Sequence, residues 1–94
     1  MIAIIKYTDC MNDTNIVFGV LSQLNVNIVK TDNKKYTIYH NITLYVKNTE
    51  EINKILSVLN NKTTYGVVLL NCKKTFSEKI KELFQHERKD LFNG

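Results

Sequence analysis

The order in which the hydrophobic period changes along this chain leaves few folds open to it. Two-residue alternation or short apolar runs mark strands, and 3.6-residue stripes mark helices. They follow one another here as strand, helix, strand, strand, helix, strand and a final helix. The βαββαβ order is that of a ferredoxin-like α+β sandwich with a four-stranded antiparallel sheet, and it occupies residues 2–72. Residues 75–92 read as an appended helix. The 94 residues make one domain. A chain this short buries roughly 60–65% of its unfolded surface, so self-association adds to its stability.

Strand one is expected at Ile2–Thr8, where Ile2, Ala3, Ile4 and Ile5 are apolar on both faces, as suits a central strand. Residues 9–12 read as a turn, and Asp13 as the cap of a helix striped with Ile16, Val17, Val20, Leu21 and Leu24. Phe18 lies off that stripe, at the rim of the core. Strand two is expected at Asn25–Thr31, a polar hairpin turn at Thr31–Lys35, and a long third strand at Tyr36–Val46. On it Ile38, His40, Ile42, Leu44 and Val46 share the core face; Tyr39, Asn41, Thr43 and Tyr45 share an open, amphipathic face. Asn48 and Glu51 have capping-box spacing before a helix striped with Ile52, Ile55, Leu56 and Leu59. Residues 60–66 form a loop to strand four, Val67–Leu70. That strand is apolar on both faces, so a cover is expected over its outer side. Thr75 and Glu78 form a second capping box. Ile80, Leu83, Phe84, Leu91 and Phe92 give the last helix an apolar side.

The net charge of +4 allows an acidic partner without demanding one. Arg88 is the only arginine. Arginine forks dominate the specific reading of phosphate and guanine, so nucleic acid is allowed but not favoured. Abundant Asn, Lys and Ile with no proline point to an AT-rich genome: a low-GC bacterium, a phage or an archaeal virus. Cys10 and Cys72 lack metal or redox spacing and read as reduced thiols. Each follows one of two antiparallel neighbours, so they belong at opposite ends of the sheet, too far apart to bridge. No apolar run approaches the roughly 20 residues of a membrane span. Met1–Lys6 reads as a strand rather than a signal peptide. The expected location is the cytoplasm, or the host cytoplasm for a viral protein.

Read in sequence, these segments resemble the ACT domain, a small ligand-sensing module of amino-acid metabolism and stringent-response enzymes. The resemblance runs from Ile2–Ile5 through Asp9, the apolar helix Val17–Leu24 and the Asn27-Ile28 pair. It continues through Tyr36–Val46, Glu50–Leu59 and Val67–Leu70. Asn12 stands where the family has a glycine that lets the backbone close on a ligand. Asp13-Thr14 stands where an apolar pair usually follows. The resemblance implies a non-catalytic regulatory domain with no cofactor. Its small ligand would sit near Asp9, Asn12 and Asp13, with Asn27 and Ile28 as further candidates.

The remaining constellations carry less chemistry. His40 falls on the core face and reads as a satisfied strand-end residue; His86 reads as a solvated helix residue. Neither has the orienting groups a nucleophile or base needs. The two cysteines and two histidines match no structural zinc spacing, so no metal is expected. Tyr39 and Tyr45, with Lys73, Lys74 and Lys79, are candidate partner contacts, because exposed tyrosines and basic clusters suit interfaces. Tyr7, Tyr39 and Tyr45 with Lys6, Lys30 and Lys47 make an RNA-binding module the weaker alternative. Strand two lacks inward charges, so a homodimer paired edge to edge is expected. Two function classes follow: a dimeric small-ligand sensor, or a phage- or virus-encoded inhibitor, anti-CRISPR-like, that binds a host protein or nucleoprotein complex.

Overall fold

The computed structural model describes residues 1–10, 12–33 and 38–93, with side chains up to residue 84 apart from Asn33. The elements are β1 (Ile2–Thr8), α1 (Asp13–Gln23), β2 (Asn27–Asn33), β3 (Tyr39–Tyr45), α2 (Thr49–Lys62), β4 (Val67–Lys73) and α3 (Phe76–Asn93). All strand pairs are antiparallel, in the order β2-β3-β1-β4. This is the ferredoxin-like α+β fold.

Alternation along β1 buries Ala3, Ile5 and Tyr7 against Ile42, Leu44, Val46 and Val67 of the other strands and their flanks. Val17, Val20 and Leu21 of α1 and Ile52, Ile55 and Leu59 of α2 close the core from the helical side. Phe18 packs at its rim. Asn48 Oδ1 accepts from the Glu51 N–H at 2.9 Å, so the expected box opens α2. Thr75 and Glu78 cap α3 reciprocally: Thr75 Oγ1 accepts from the Glu78 N–H at 3.2 Å, and Glu78 Oε1 accepts from the Thr75 N–H at 3.3 Å. The same Glu78 oxygen takes the Met1 ammonium at 2.5 Å.

Several boundaries and faces differ from expectation, each for a local reason. Asn25 is a helix cap, not the first residue of a strand. It takes a left-handed conformation at φ 55. Its N–H donates to Ser22 O at 3.1 Å and that of Val26 to Leu21 O at 2.9 Å. That is a Schellman ending, with Asn in the place glycine usually takes, and it delays β2 to Asn27. Thr31, Asp32 and Asn33 then belong to the ladder rather than to a turn; Lys34 and Lys35 of the expected turn, with Tyr36, lie outside the described residues. The cap of α1 is Asn12, not Asp13. Ile38 precedes β3 and is 59% exposed, so it is not a core residue. β4 runs on to Lys73.

The expected cover over β4 is missing among the described residues: Val68 is 60% and Leu70 50% exposed. Both edge strands carry a register shift. On β2 it leaves Val29 between Ile28 and Lys30; on β4 it leaves Leu70 between Leu69 and Asn71. Bulges at sheet edges bend the strand and break the even ladder that edge-to-edge pairing needs. Side chains of His86, Arg88, Leu91 and Phe92 lie outside the described ones.

Candidate functional site

The turn from β1 into α1 gathers the polar chemistry of the domain. The register sets Tyr7 opposite His40 and Thr8 opposite Tyr39, at the end of the sheet from which α1 starts. Asp9 leaves the ladder there, its N–H donating to Ile38 O at 2.7 Å. Asn12 then turns the chain at φ 67, ψ 20, a conformation that Asn tolerates better than most residues. That is a shape glycine adopts freely.

Four side chains form a continuous set. The Tyr7 hydroxyl donates to Thr14 Oγ1 at 3.2 Å, and the Thr14 hydroxyl donates to Asp9 Oδ1 at 2.7 Å. His40 Nε2 lies 3.2 Å from Asp9 Oδ2. The Tyr7 and His40 rings are 5.4 Å apart. His40 Nδ1 is buried and has no hydrogen-bond partner among the described residues, so among them His40 is a core-edge residue satisfied on one side. Donation from Thr14, joined by His40, holds the Asp9 carboxyl below the usual carboxylate range. Burial pushes the Tyr7 phenol up, against the opposing bond to Thr14.

Beside this set lies a groove of about 400 Å³, lined by Thr8, Asp9, Cys10, Ile38, Tyr39 and Tyr65. It offers one ionised carboxylate beside apolar and aromatic walls, a composition typical of small-molecule sites. A neighbouring hollow of about 220 Å³ shares Thr8, Tyr39 and Tyr65 and reaches Val68 and Leu70.

Of the expected ligand residues, only Asp9 lines the groove. Asn12 shapes the turn from outside it. Asp13 is buried and occupied: its carboxylate accepts from the Thr64 N–H at 3.1 Å and the Thr64 hydroxyl at 3.2 Å. Asn27 and Ile28 pair with Tyr45 and Leu44, which in turn face Ile2 and Ala3. They sit at the other end of the sheet and do not meet Asp9. The residues missed are Thr14, Cys10, Ile38 and Tyr65. Only the strand register, and the packing of the loop before Gly66, bring them together.

Tyr39 and Tyr45 lie on the outer sheet face at opposite ends of β3. Lys73 stands in one row with Ile2 and Tyr45. Lys74 pairs with Glu82, and Lys79 is exposed on α3. Lys6 Nζ sits 4.2 Å above the Tyr39 ring, covering one face on which a base would have to stack. Among the described residues no group of three or more His, Cys, Asp or Glu is placed to hold a metal. No helix among them is long and apolar enough to cross a membrane.

Two solved structures share this architecture. The crystal structure of the ACT domain from GTP pyrophosphokinase of Chlorobium tepidum is 28% identical, with a TM-score of 0.60; the match covers 74% of this chain and 97% of that one. The solution NMR structure of the ACT domain from the same enzyme is 27% identical, with a TM-score of 0.58, covering 81% and 93%. The chain carries an ACT-domain-like fold. No protein-family model and no curated relative matches it. The likeness to the two ACT domains supports a small domain of the regulatory, ligand-sensing kind rather than a particular ligand.

Proposed function

We propose that this ACT-like domain senses a small molecule bound in the groove beside Asp9. The observation that carries the reading is the Tyr7–Thr14–Asp9–His40 set. It fixes a carboxylate in its ionised form at the mouth of a groove walled by Ile38, Tyr39 and Tyr65. That geometry suits a ligand with an ammonium or other donor for Asp9 and an apolar body for the walls, as in an amino acid. Nothing in the set joins a nucleophile to an oriented base, so the role is binding and not catalysis. A melting scan with the amino acids and common nucleotides tests it. One amino acid should raise the melting temperature of the wild type and leave Asp9→Ala unmoved. Equal shifts in both proteins would refute the site.

A second reading is a protein-binding chain, of the phage or viral inhibitor type. One observation favours it: among the described residues the outer face of the sheet is open, with Tyr39 49% and Tyr45 42% exposed and Lys73 in the same row as Tyr45, two strands away. Tyr39→Ala with Tyr45→Ala should then abolish partner capture, since aromatic anchors often carry about 2 kcal/mol or more each. Asp9→Ala should not affect capture. Loss of capture with Asp9→Ala alone would count against this reading.

A further inference from the structure

Two apolar surfaces of this chain have no partner among the described residues. One is the outer face around β4, with Val68 60%, Leu70 50% and the adjoining Tyr65 69% exposed. The other is α3, with Phe76 78%, Leu83 63% and Phe84 64% exposed. Phe76, Ile80, Leu83 and Phe84 recur at helical spacing and make one stripe. We infer that the chain assembles as a two-fold pair in which α3 of each copy lies across the outer sheet face of the other.

The first argument is dimensional. An 18-residue helix is about 27 Å long, and a seven-residue strand about 23 Å. One copy's helix therefore matches the length of the other's sheet. The hollow of about 220 Å³ between Tyr39, Tyr65, Val68 and Leu70 is the size of one aromatic side chain. It gives a phenylalanine of the stripe a seat.

The second argument is area. An aromatic side chain buries about 150–250 Å². Three half-exposed tyrosines, two exposed phenylalanines and the aliphatic residues between them offer on the order of 1,000 Å² per copy. A reciprocal exchange therefore reaches the roughly 1,200–2,000 Å² of a specific interface. A foreign partner would have to cover the two surfaces separately, whereas a second copy covers both at once.

The third argument concerns the alternatives within the chain. α3 is held at its start by the Thr75–Glu78 cap and by the Met1–Glu78 contact. From there Phe76, Leu83 and Phe84 stand exposed, while Ile80 is half-buried. Edge pairing is discouraged by the bulges at Val29 and Leu70. The open faces are the remaining route to a dimer; their seat shares Tyr39 and Tyr65 with the groove beside Asp9, so the exchange borders the ligand site.

Sedimentation of the full chain tests the exchange by complementation. The wild type should be a dimer at tens of micromolar. Leu83→Glu with Phe84→Glu removes the helix stripe. Val68→Glu with Leu70→Glu removes the sheet seat; Val68 faces Lys6 across the ladder, so an acid there suits the fold. Each double variant should be monomeric, with self-association weakened about 100-fold. Mixing the two should restore dimers, because one intact helix meets one intact sheet. Hydrogen exchange on the wild type checks the same contacts without substitution: protection over 67–70 and 76–84 should rise together with concentration. A monomeric wild type, a dimer indifferent to either pair, or a mixture of folded variants that stays monomeric would overturn the exchange.

Discussion

Thr64 gives both its backbone N–H and its hydroxyl to the carboxylate of Asp13, fifty-one residues earlier. The bond pins the first turn of α1 to the loop that leads into β4. Asp13 is 2% exposed, so losing its carboxylate removes a buried charged acceptor from both donors of Thr64. Asp13→Ala should cost about 2–3 kcal/mol, lowering the melting temperature by roughly 8–20 °C for a domain of this size. Ligand affinity at the groove should stay unchanged in the fraction that remains folded. An unchanged melting temperature would mean that Asp13 is free.

Asp9 gives a pH signature with a definite sign. Its folded carboxyl titrates below the unfolded one, through Thr14 first and His40 next. It therefore contributes stability above the unfolded value, near 3.9, and that contribution is lost as pH falls through the folded value. Glu78 adds a second loss of the same sign in acid, through the Met1 ammonium and Thr75. Thr14→Val should raise the Asp9 midpoint followed by NMR and flatten the acid limb of the stability curve. A midpoint unmoved by Thr14→Val would remove Thr14 as the main cause.

Gly66 marks where the backbone has no alternative. It has φ +79, and a Cβ there would stand 2.5 Å from Asn60 Oδ1. That oxygen accepts from the Val67 N–H at 2.7 Å, so it is not free to move aside. Gly66→Ala should cost about 1–3 kcal/mol in chemical denaturation. The contrast is Asn12, also at positive φ but exposed. There Asn12→Ala should cost about 1 kcal/mol, and Asn12→Gly should stay within about 0.5 kcal/mol of the wild type.

The element order was legible because each stripe has one period and two helix starts carry capping boxes, at Asn48 and Thr75. What escaped depends on pairing rather than on local pattern. Asn25 reads as strand because it adjoins the alternation of Val26 and Ile28; its left-handed turn shows only once the end of α1 is placed. Ile38 has the parity of the core, yet it stands beyond the ladder, where nothing remains to bury it. Val68 reads as covered only if apolar residues imply a cover. Of the site, Asp9 was legible through its place after an apolar strand. Thr14, His40 and Tyr65 were not, since the register that sets His40 opposite Tyr7 cannot be counted from residue types.

The thiols test the strand order itself. Cys72 pairs with Ala3 near the start of β1, while Cys10 follows the end of that strand. The five residue steps of strand from Ala3 to Thr8 alone separate those rows by about 16 Å, and both thiols are free. Both should react fully with a thiol reagent in denaturant without prior reduction. An intramolecular disulfide in the native protein would contradict the β1–β4 pairing.

The central claim is that the groove beside Asp9 holds a small ligand. Chemical-shift mapping on the labelled wild-type chain, titrated with amino acids singly, tests it most directly. The account predicts that one of them moves resonances of Thr8, Asp9, Cys10, Tyr39 and Tyr65 together, with saturation, and that Asp9→Ala loses the effect. Saturable shifts elsewhere, or no shift at these residues with any amino acid or common nucleotide, would contradict it.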